Sequence, residues 1–260
     1  FKWYRPQEGR NSISHNNVKA LYYDADKEII WIGTHLGGLN RLDIRSGHFT
    51  HYRMEDNNQQ TLPSDIVRDI IPYKDLLIVA TQNGVCLFEP DSGKCRQLFK
   101  DSKEGKSIKM VADILLDSEG TLWIAATGEG VFSYRFDTRK LTNYRHDSAN
   151  PNSLSNNNVN NIMQDSQGHL WFSTSGSGLD LYHPANNDFE NFDKEKNGLA
   201  SDCVYETQES AASGKLLLIT NQGFSIFDYQ NMHIKNYSAE NGFPLTAVNE
   251  NSLCITRDGE

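Results

Sequence analysis

The sequence predicts an all-β protein, a β-propeller of four-stranded antiparallel blades. Three observations carry this. A unit of about 46 residues recurs five times, each copy divides into four short apolar strands, and turn-forming residues separate those strands at matching positions.

The second strand of the unit is the plainest. Ile30-Trp31-Ile32-Gly33-Thr34, Leu122-Trp123-Ile124-Ala125-Ala126 and Leu170-Trp171-Phe172-Ser173-Thr174 echo one another. Leu77-Ile78-Val79-Ala80-Thr81 and Leu216-Leu217-Leu218-Ile219-Thr220 are weaker copies. The Trp-equivalent positions 31, 78, 123, 171 and 217 are spaced by 47, 45, 48 and 46. A Gly and an apolar residue then open the third strand: Gly38-Leu39, Gly84-Val85, Gly130-Val131, Gly178-Leu179 and Gly223-Phe224. The fourth strand ends on an aromatic at Tyr52, Phe99, Tyr144, Phe192 or Tyr237. Upstream of each Trp position lies the first strand, beginning near Val18, Ile66, Val111, Val159 and Val204. Asp117-Ser118-Glu119-Gly120 and Asp165-Ser166-Gln167-Gly168 join first to second strands, with Gly for the positive φ of a hairpin. No segment shows a sustained helical period.

Blades are therefore expected at about 13–52, 62–99, 108–144, 154–192 and 200–237. Residues 1–5 match the last strand of a preceding blade and 245–260 the start of a further one, so about five and a half blades are present. Aromatics at one fixed phase of every blade, Trp31, Trp123 and Trp171, belong to the packing between blades rather than to a ligand site. An open set of blades leaves two apolar faces that additional sequence or another copy should cover.

Composition excludes several classes. The net charge is −9, from 25 basic and 34 acidic residues, and no basic stripe is present, so no nucleic acid is expected as partner. No apolar run is long enough to span a membrane. Cys86, Cys95, Cys203 and Cys254 form no C-x-x-C pair, and the histidines lack ligand spacing, so no metal is expected. Cys86 and Cys95 flank the turn Pro90-Asp91-Ser92-Gly93; they are either a disulfide across a hairpin or two ordinary strand residues. Gly105-Lys106-Ser107 lacks the first Gly and the strand–helix context of a phosphate loop. Asp24, Asp26 and Glu28 alternate as in calcium loops but lack the following Gly and fit a solvated turn. No nucleophile elbow appears and no pair of acids stands out, so neither catalysis nor a cofactor is expected.

The run Ser153-Leu154-Ser155-Asn156-Asn157-Asn158-Val159, followed by Asp165 to Gly168, Leu170 to Thr174 and Gly178-Leu179, resembles the two-component regulator propeller repeat, as does Ile30 to Asp43. The second and fifth copies depart from it, lacking both the Trp and the Asp-x-x-Gly turn, and Ala126 replaces the usual Thr. The resemblance implies a segment of a seven-bladed propeller. Its parent would be a periplasmic sensor of a Bacteroides-type hybrid two-component system, anchored in the inner membrane and carrying a histidine kinase elsewhere. It further implies an oligosaccharide ligand, a homodimer, control of polysaccharide-utilisation genes, and contacts with the remainder of the same sensor protein. A spacer or dimerisation propeller without its own ligand, and a propeller lyase or glycosidase, are the rival readings.

In a four-stranded meander the turns between strands two and three emerge with the connections between blades on one face, the usual ligand face. The turn residues there are His35, Gln82, Asn83, Glu129, Ser177, Asn221 and Gln222, joined by longer loops such as Asn150 to Asn158. Amides, His, Ser and Glu suit carbohydrate hydroxyls. They also make good turns. His35, Gln82, Glu129 and Gln222 are the expected ring at the central mouth.

Overall fold

The computed structural model describes residues 3–239 and Gly242. The expected start of a further blade at 245–260 lies outside the described residues. The chain divides into two compact units, residues 1–114 and 115–260.

In the first unit, β1 (Val18–Asp24), β2 (Ile29–Thr34), β3 (Leu39–Asp43) and β4 (Phe49–Tyr52) form an antiparallel meander. A second meander is formed by β5 (Val67–Tyr73), β6 (Leu76–Thr81), β7 (Gly84–Phe88) and β8 (Cys95–Gln97). The unit boundary falls within β9 (Val111–Leu116), the first strand of a third sheet completed by β10 (Thr121–Ala126), β11 (Gly130–Arg135) and β12 (Leu141–Tyr144). The second unit holds two more sheets. One is β13 (Val159–Gln164), β14 (Leu170–Thr174), β15 (Leu179–His183) and β16 (Asp188–Phe192). The other is β17 (Val204–Glu209), β18 (Leu216–Thr220), β19 (Gly223–Asp228) and β20 (His233–Tyr237). A single helical turn, α1 (Lys194–Asn197), lies between them.

Within each unit, neighbouring sheets mate through apolar faces. Trp31 and Tyr52 of the first blade pack on Phe88 of the second, with centroids 5.4 and 4.8 Å away. Trp171 and Phe192 of the fourth pack on Phe227 of the fifth at 6.2 and 5.2 Å. Within the second unit Trp123 meets Phe172 and Tyr182 at 5.5 and 5.2 Å. All three Trp are buried, which makes them the inter-blade packing that their fixed phase predicts. On the opposite face of the first blade Ile13 covers Ile32, Leu42 and Phe49, but Leu21 is 68% exposed, whereas Ile70 and Ile162, at the same register position in later blades, are 4% exposed.

The repeat residues have identifiable work. Asp165 Oδ1 accepts the N–H groups of Gln167 (3.0 Å) and His169 (2.8 Å), closing the Asp-x-x-Gly turn. Its Oδ2 accepts the indole N–H of buried Trp171 at 2.9 Å. Asp117 repeats this with Glu119, Thr121 and Trp123. One carboxylate thus serves turn and Trp together in the third and fourth blades, whereas the first blade keeps Trp31 without the Asp-x-x-Gly turn. The Thr ending the second strand donates to the carbonyl of the Gly that opens the third: Thr34 to Gly38 (3.0 Å), Thr81 to Gly84 (2.8 Å), Thr174 to Gly178 (2.9 Å) and Thr220 to Gly223 (2.9 Å). Ala126 removes this bond from the third blade. At Gly38 and Gly178 φ is +72° and +81°, and a Cβ would overlap the carbonyl oxygen of Tyr52 or Phe192 on the fourth strand, so only Gly fits.

Ahead of the first blade, Tyr4 packs edge-on against Phe49 at 5.6 Å. Cys86 and Cys95, the pair left open by the sequence, form a disulfide across the β7–β8 hairpin, with Cα atoms 6.0 Å apart.

Candidate functional site

A cleft of about 350 Å³ opens in the second unit, where the loop from β12 to β13, the β14–β15 turn and the segment after β16 meet. Its size suits a small ligand. The β12–β13 loop supplies His146, Asp147, Asn150 and Ser155. That loop is stiffened from within: Asp147 Oδ1 accepts from Ala149 N (3.0 Å), Asn150 Oδ1 from Asn152 N (3.1 Å), and His146 Nδ1 pairs with the Leu154 carbonyl at 3.0 Å. The opposite wall carries Asn191, Asp193, Lys196 and Asp202. Asp193 caps α1 by accepting Lys196 N at 2.6 Å, and Gly198 ends it at φ +79°. Asp202 anchors the wall through its carbonyl, which accepts from Gly176 N (2.9 Å) and Gly178 N (2.7 Å), while its Oδ1 accepts Lys194 N at 2.7 Å.

Asp180 of β15 lies fully buried among residues that line this cleft. Its Oδ2 accepts Ser155 N at 2.8 Å, and its Oδ1 accepts Asn191 Nδ2 at 2.9 Å. The same Asn191 nitrogen donates to the Ser177 carbonyl at 2.6 Å. Burial pushes the Asp180 carboxyl up to about 6, against the opposing pull of Ser155, Asn191 and His146. For Asp193, burial works upward too, but the N–H and ammonium of Lys196 outweigh it and hold that carboxyl below its usual range. The cleft offers carboxylates, amides and hydroxyls in both donor and acceptor roles, the chemistry that grips a polyhydroxylated ligand.

The sequence-derived site residues divide between the units. In the first, His35 N donates to the Asn17 carbonyl at 2.8 Å, and its Nδ1 is enclosed without a hydrogen bond. Gln82 exchanges backbone bonds with Ile66 (3.0 Å) and Met110 (2.7 Å). Asn83 N donates to Thr81 Oγ1 at 3.2 Å, and its carbonyl accepts from Gln97 Nε2 at 3.1 Å. In the second, Glu129 is ion-paired with Arg145. Gln222 N donates to Thr220 Oγ1 at 3.2 Å and Asn221 N to the Cys203 carbonyl at 3.3 Å, both side chains being exposed. Of the seven, Ser177 lines the cleft, its hydroxyl accepting Asn156 Nδ2 at 3.3 Å. His146, Asp180, Asn191, Asp193 and Asp202 were not foreseen. The Asn150 to Asn158 loop was, and it forms a wall. Among the described residues no His, Cys, Asp and Glu cluster is disposed to hold a metal ion, and no helix is long and apolar enough to cross a membrane.

Five repeated four-stranded meanders with mated faces make the chain a β-propeller segment. The family described as two component regulator propeller matches residues 12–35 and 153–176. Among solved structures, the chain is similar to the extracellular domain of the hybrid two-component system BT3049 from B. thetaiotaomicron, at 21% identity and a TM-score of 0.78 over 94% of this chain. It spans 32% of that domain's length. It is also similar to PorZ, a surface component of the type-IX secretion system of Porphyromonas gingivalis (17% identity, TM-score 0.62, 83% of this chain, 33% of that one). A third likeness is YCF48 bound to D1 peptide (8% identity, TM-score 0.61, 87% of this chain, 68% of that one). At these identities the likeness establishes the fold. No curated protein matches the chain.

Proposed function

We propose that this chain is the ligand-binding part of an extracytoplasmic sensor, and that the cleft on the loop face of its fourth blade receives an oligosaccharide. The cleft carries the reading: a 350 Å³ recess on the loop face, walled by polar side chains, two of which, Ser155 and Asn191, bond a buried acid. The repeat family and the likeness to a hybrid two-component extracellular domain support the sensor role. In this account the parent protein is anchored in the inner membrane, acts from the periplasm as a homodimer, and relays ligand occupancy to a kinase that governs polysaccharide-utilisation genes. Relay requires that ligand favour one of two arrangements of the whole sensor.

His35, Gln82, Asn83, Glu129, Asn221 and Gln222 form a second, looser set of candidate contacts. Their backbone roles in the turns favour scaffold over recognition for most of them.

Calorimetric titration against plant, host and microbial oligosaccharides tests this, using the natural sequence, an Asn150→Ala/Asp202→Ala variant and a His35→Ala/Gln82→Ala/Glu129→Ala/Gln222→Ala variant. Binding lost only in the first variant supports the cleft. Binding lost only in the second moves the site to the mouth, and turnover of any glycan would make the chain an enzyme.

A further inference from the structure

We propose that Asp180 is a protonation-controlled clamp on the cleft, fixing the β12–β13 loop when neutral and loosening it when ionised. This deepens the cleft reading by naming how the site is regulated, and its test needs no ligand.

The argument begins with an internal comparison. The residue two past the recurring Gly at the third strand does one job in three blades: it ties the incoming inter-blade loop to the sheet. Asn40 Oδ1 accepts Ser14 N at 2.8 Å in the first blade, and Ser225 Oγ accepts Ala200 N at 3.2 Å in the fifth. Asp180 Oδ2 accepts Ser155 N at 2.8 Å in the fourth. Two of these residues are neutral at every pH. Of the three, the fourth blade's alone can titrate, and it lies beneath the cleft.

The clamp touches both walls. Ser155 lies on the loop that forms one wall, and Asn191 on the strand leading into the other. Through Asn191 the carboxyl is one bond from the Ser177 carbonyl. A neutral carboxyl accepts these two N–H groups weakly but adequately, and the Ser155 hydroxyl against it is placed to accept its proton. A buried carboxylate needs more, because removal of its charge from water is uncompensated. Ionisation therefore favours a conformation in which water or a ligand donor reaches Asp180. The route lies past Ser155, whose buried hydroxyl sits against the same carboxyl and has no other hydrogen-bond partner.

The surrounding charges leave Asp180 as the group that changes. Flanking strand β14 brings no ionisable side chain, and β16 presents neutral Asn191. From the third blade, β10 and β12 bring only Tyr144, and Arg135 of β11 is paired with Asp137. The loop brings His146, which favours the ionised form when charged, and Asp147, while Lys196 of the far wall is held by Asp193 at 3.1 Å. His146 is the one rival titrating group nearby.

Nitrogen–proton correlation spectra of the 260-residue chain, recorded from pH 4.5 to 8, decide the matter. The Ser155 amide and the Asn191 side-chain amide should shift together with one midpoint near 6. Exchange of the loop amides with solvent should rise about tenfold across the same range. Both changes should vanish in Asp180→Asn and persist in His146→Gln. Should Asp180→Asn not fold, Asp180→Ser, the residue used by the fifth blade, takes its place. Flat resonances in the natural sequence, or a titration surviving in the Asp180 variants and lost in His146→Gln, overturn the proposal.

Discussion

The pairing of Trp171 with Asp165 yields the sharpest stability prediction. Trp171 is buried, and its indole N–H donates to Asp165 Oδ2 at 2.9 Å while Oδ1 holds two turn amides. Trp171→Phe removes the donor and part of the apolar area but leaves the turn. Asp165→Asn keeps one oxygen for the turn but sets an amide N–H₂ against the indole N–H, leaving a buried donor without an acceptor. A hydrogen bond to a charged group contributes about 1.5–3 kcal/mol, and an unsatisfied buried donor costs about 1–3 kcal/mol. Each single change should therefore destabilise by roughly 2–4 kcal/mol. In the double variant the orphaned donor no longer exists, so the two losses should fall short of their sum by about 1–2 kcal/mol. Urea unfolding at pH 7 followed by tryptophan fluorescence and far-ultraviolet dichroism measures the cycle. Losses that add to within about 0.5 kcal/mol would show turn and Trp to be independent and refute their coupling through one carboxylate.

Three further outcomes follow from the same structure. Asp180 binds its proton more tightly when folded, so between about pH 4 and 6 the unfolded chain has released a proton that the folded chain retains, and stability falls as pH rises; with the pKa raised to about 6, Asp180→Asn should stabilise by about 3 kcal/mol at pH 7.5, and by almost nothing at pH 3.5, in urea titrations. Thr174→Val breaks the bond to the Gly178 carbonyl and the acceptor for Ser177 N, and should lower stability by about 1–2 kcal/mol, whereas Ala126→Thr, supplying the missing bond of the third blade, should raise it by about 0.5–1 kcal/mol; thermal melts read both. Reduction of Cys86–Cys95, nine residues apart, should cost roughly 2–3 kcal/mol, and intact-mass measurement before and after reduction should show the two-proton difference of one bridge.

The fold was legible because a propeller writes its packing into the sequence five times over. Trp31, Trp123 and Trp171 sit at one phase of the repeat, and that phase is the mated face. In four of the five blades the Gly that follows the second strand is dictated by a carbonyl oxygen at the end of the fourth strand, as Gly178 and Phe192 show, so its recurrence reports sheet geometry directly. The cleft was less legible. A strand buried on both faces shows no polar alternation, so Asp180 between Leu179 and Leu181 carries no sign of which way it points. Asp193 and Asp202 are nine residues apart in sequence and meet across a wall only through α1 and the turn at Gly176–Gly178. The turn residues of the strand-two to strand-three connections were legible as positions, but much of their hydrogen bonding is backbone work that composition cannot distinguish from recognition.

The measurement closest to the central claim is hydrogen exchange of the chain with and without a saturating oligosaccharide identified by titration. The cleft account predicts slowed exchange concentrated at 146–155, 176–178 and 191–202, with the turns at His35, Gln82 and Gln222 unchanged. Protection at those three turns with the cleft segments unaffected would contradict it.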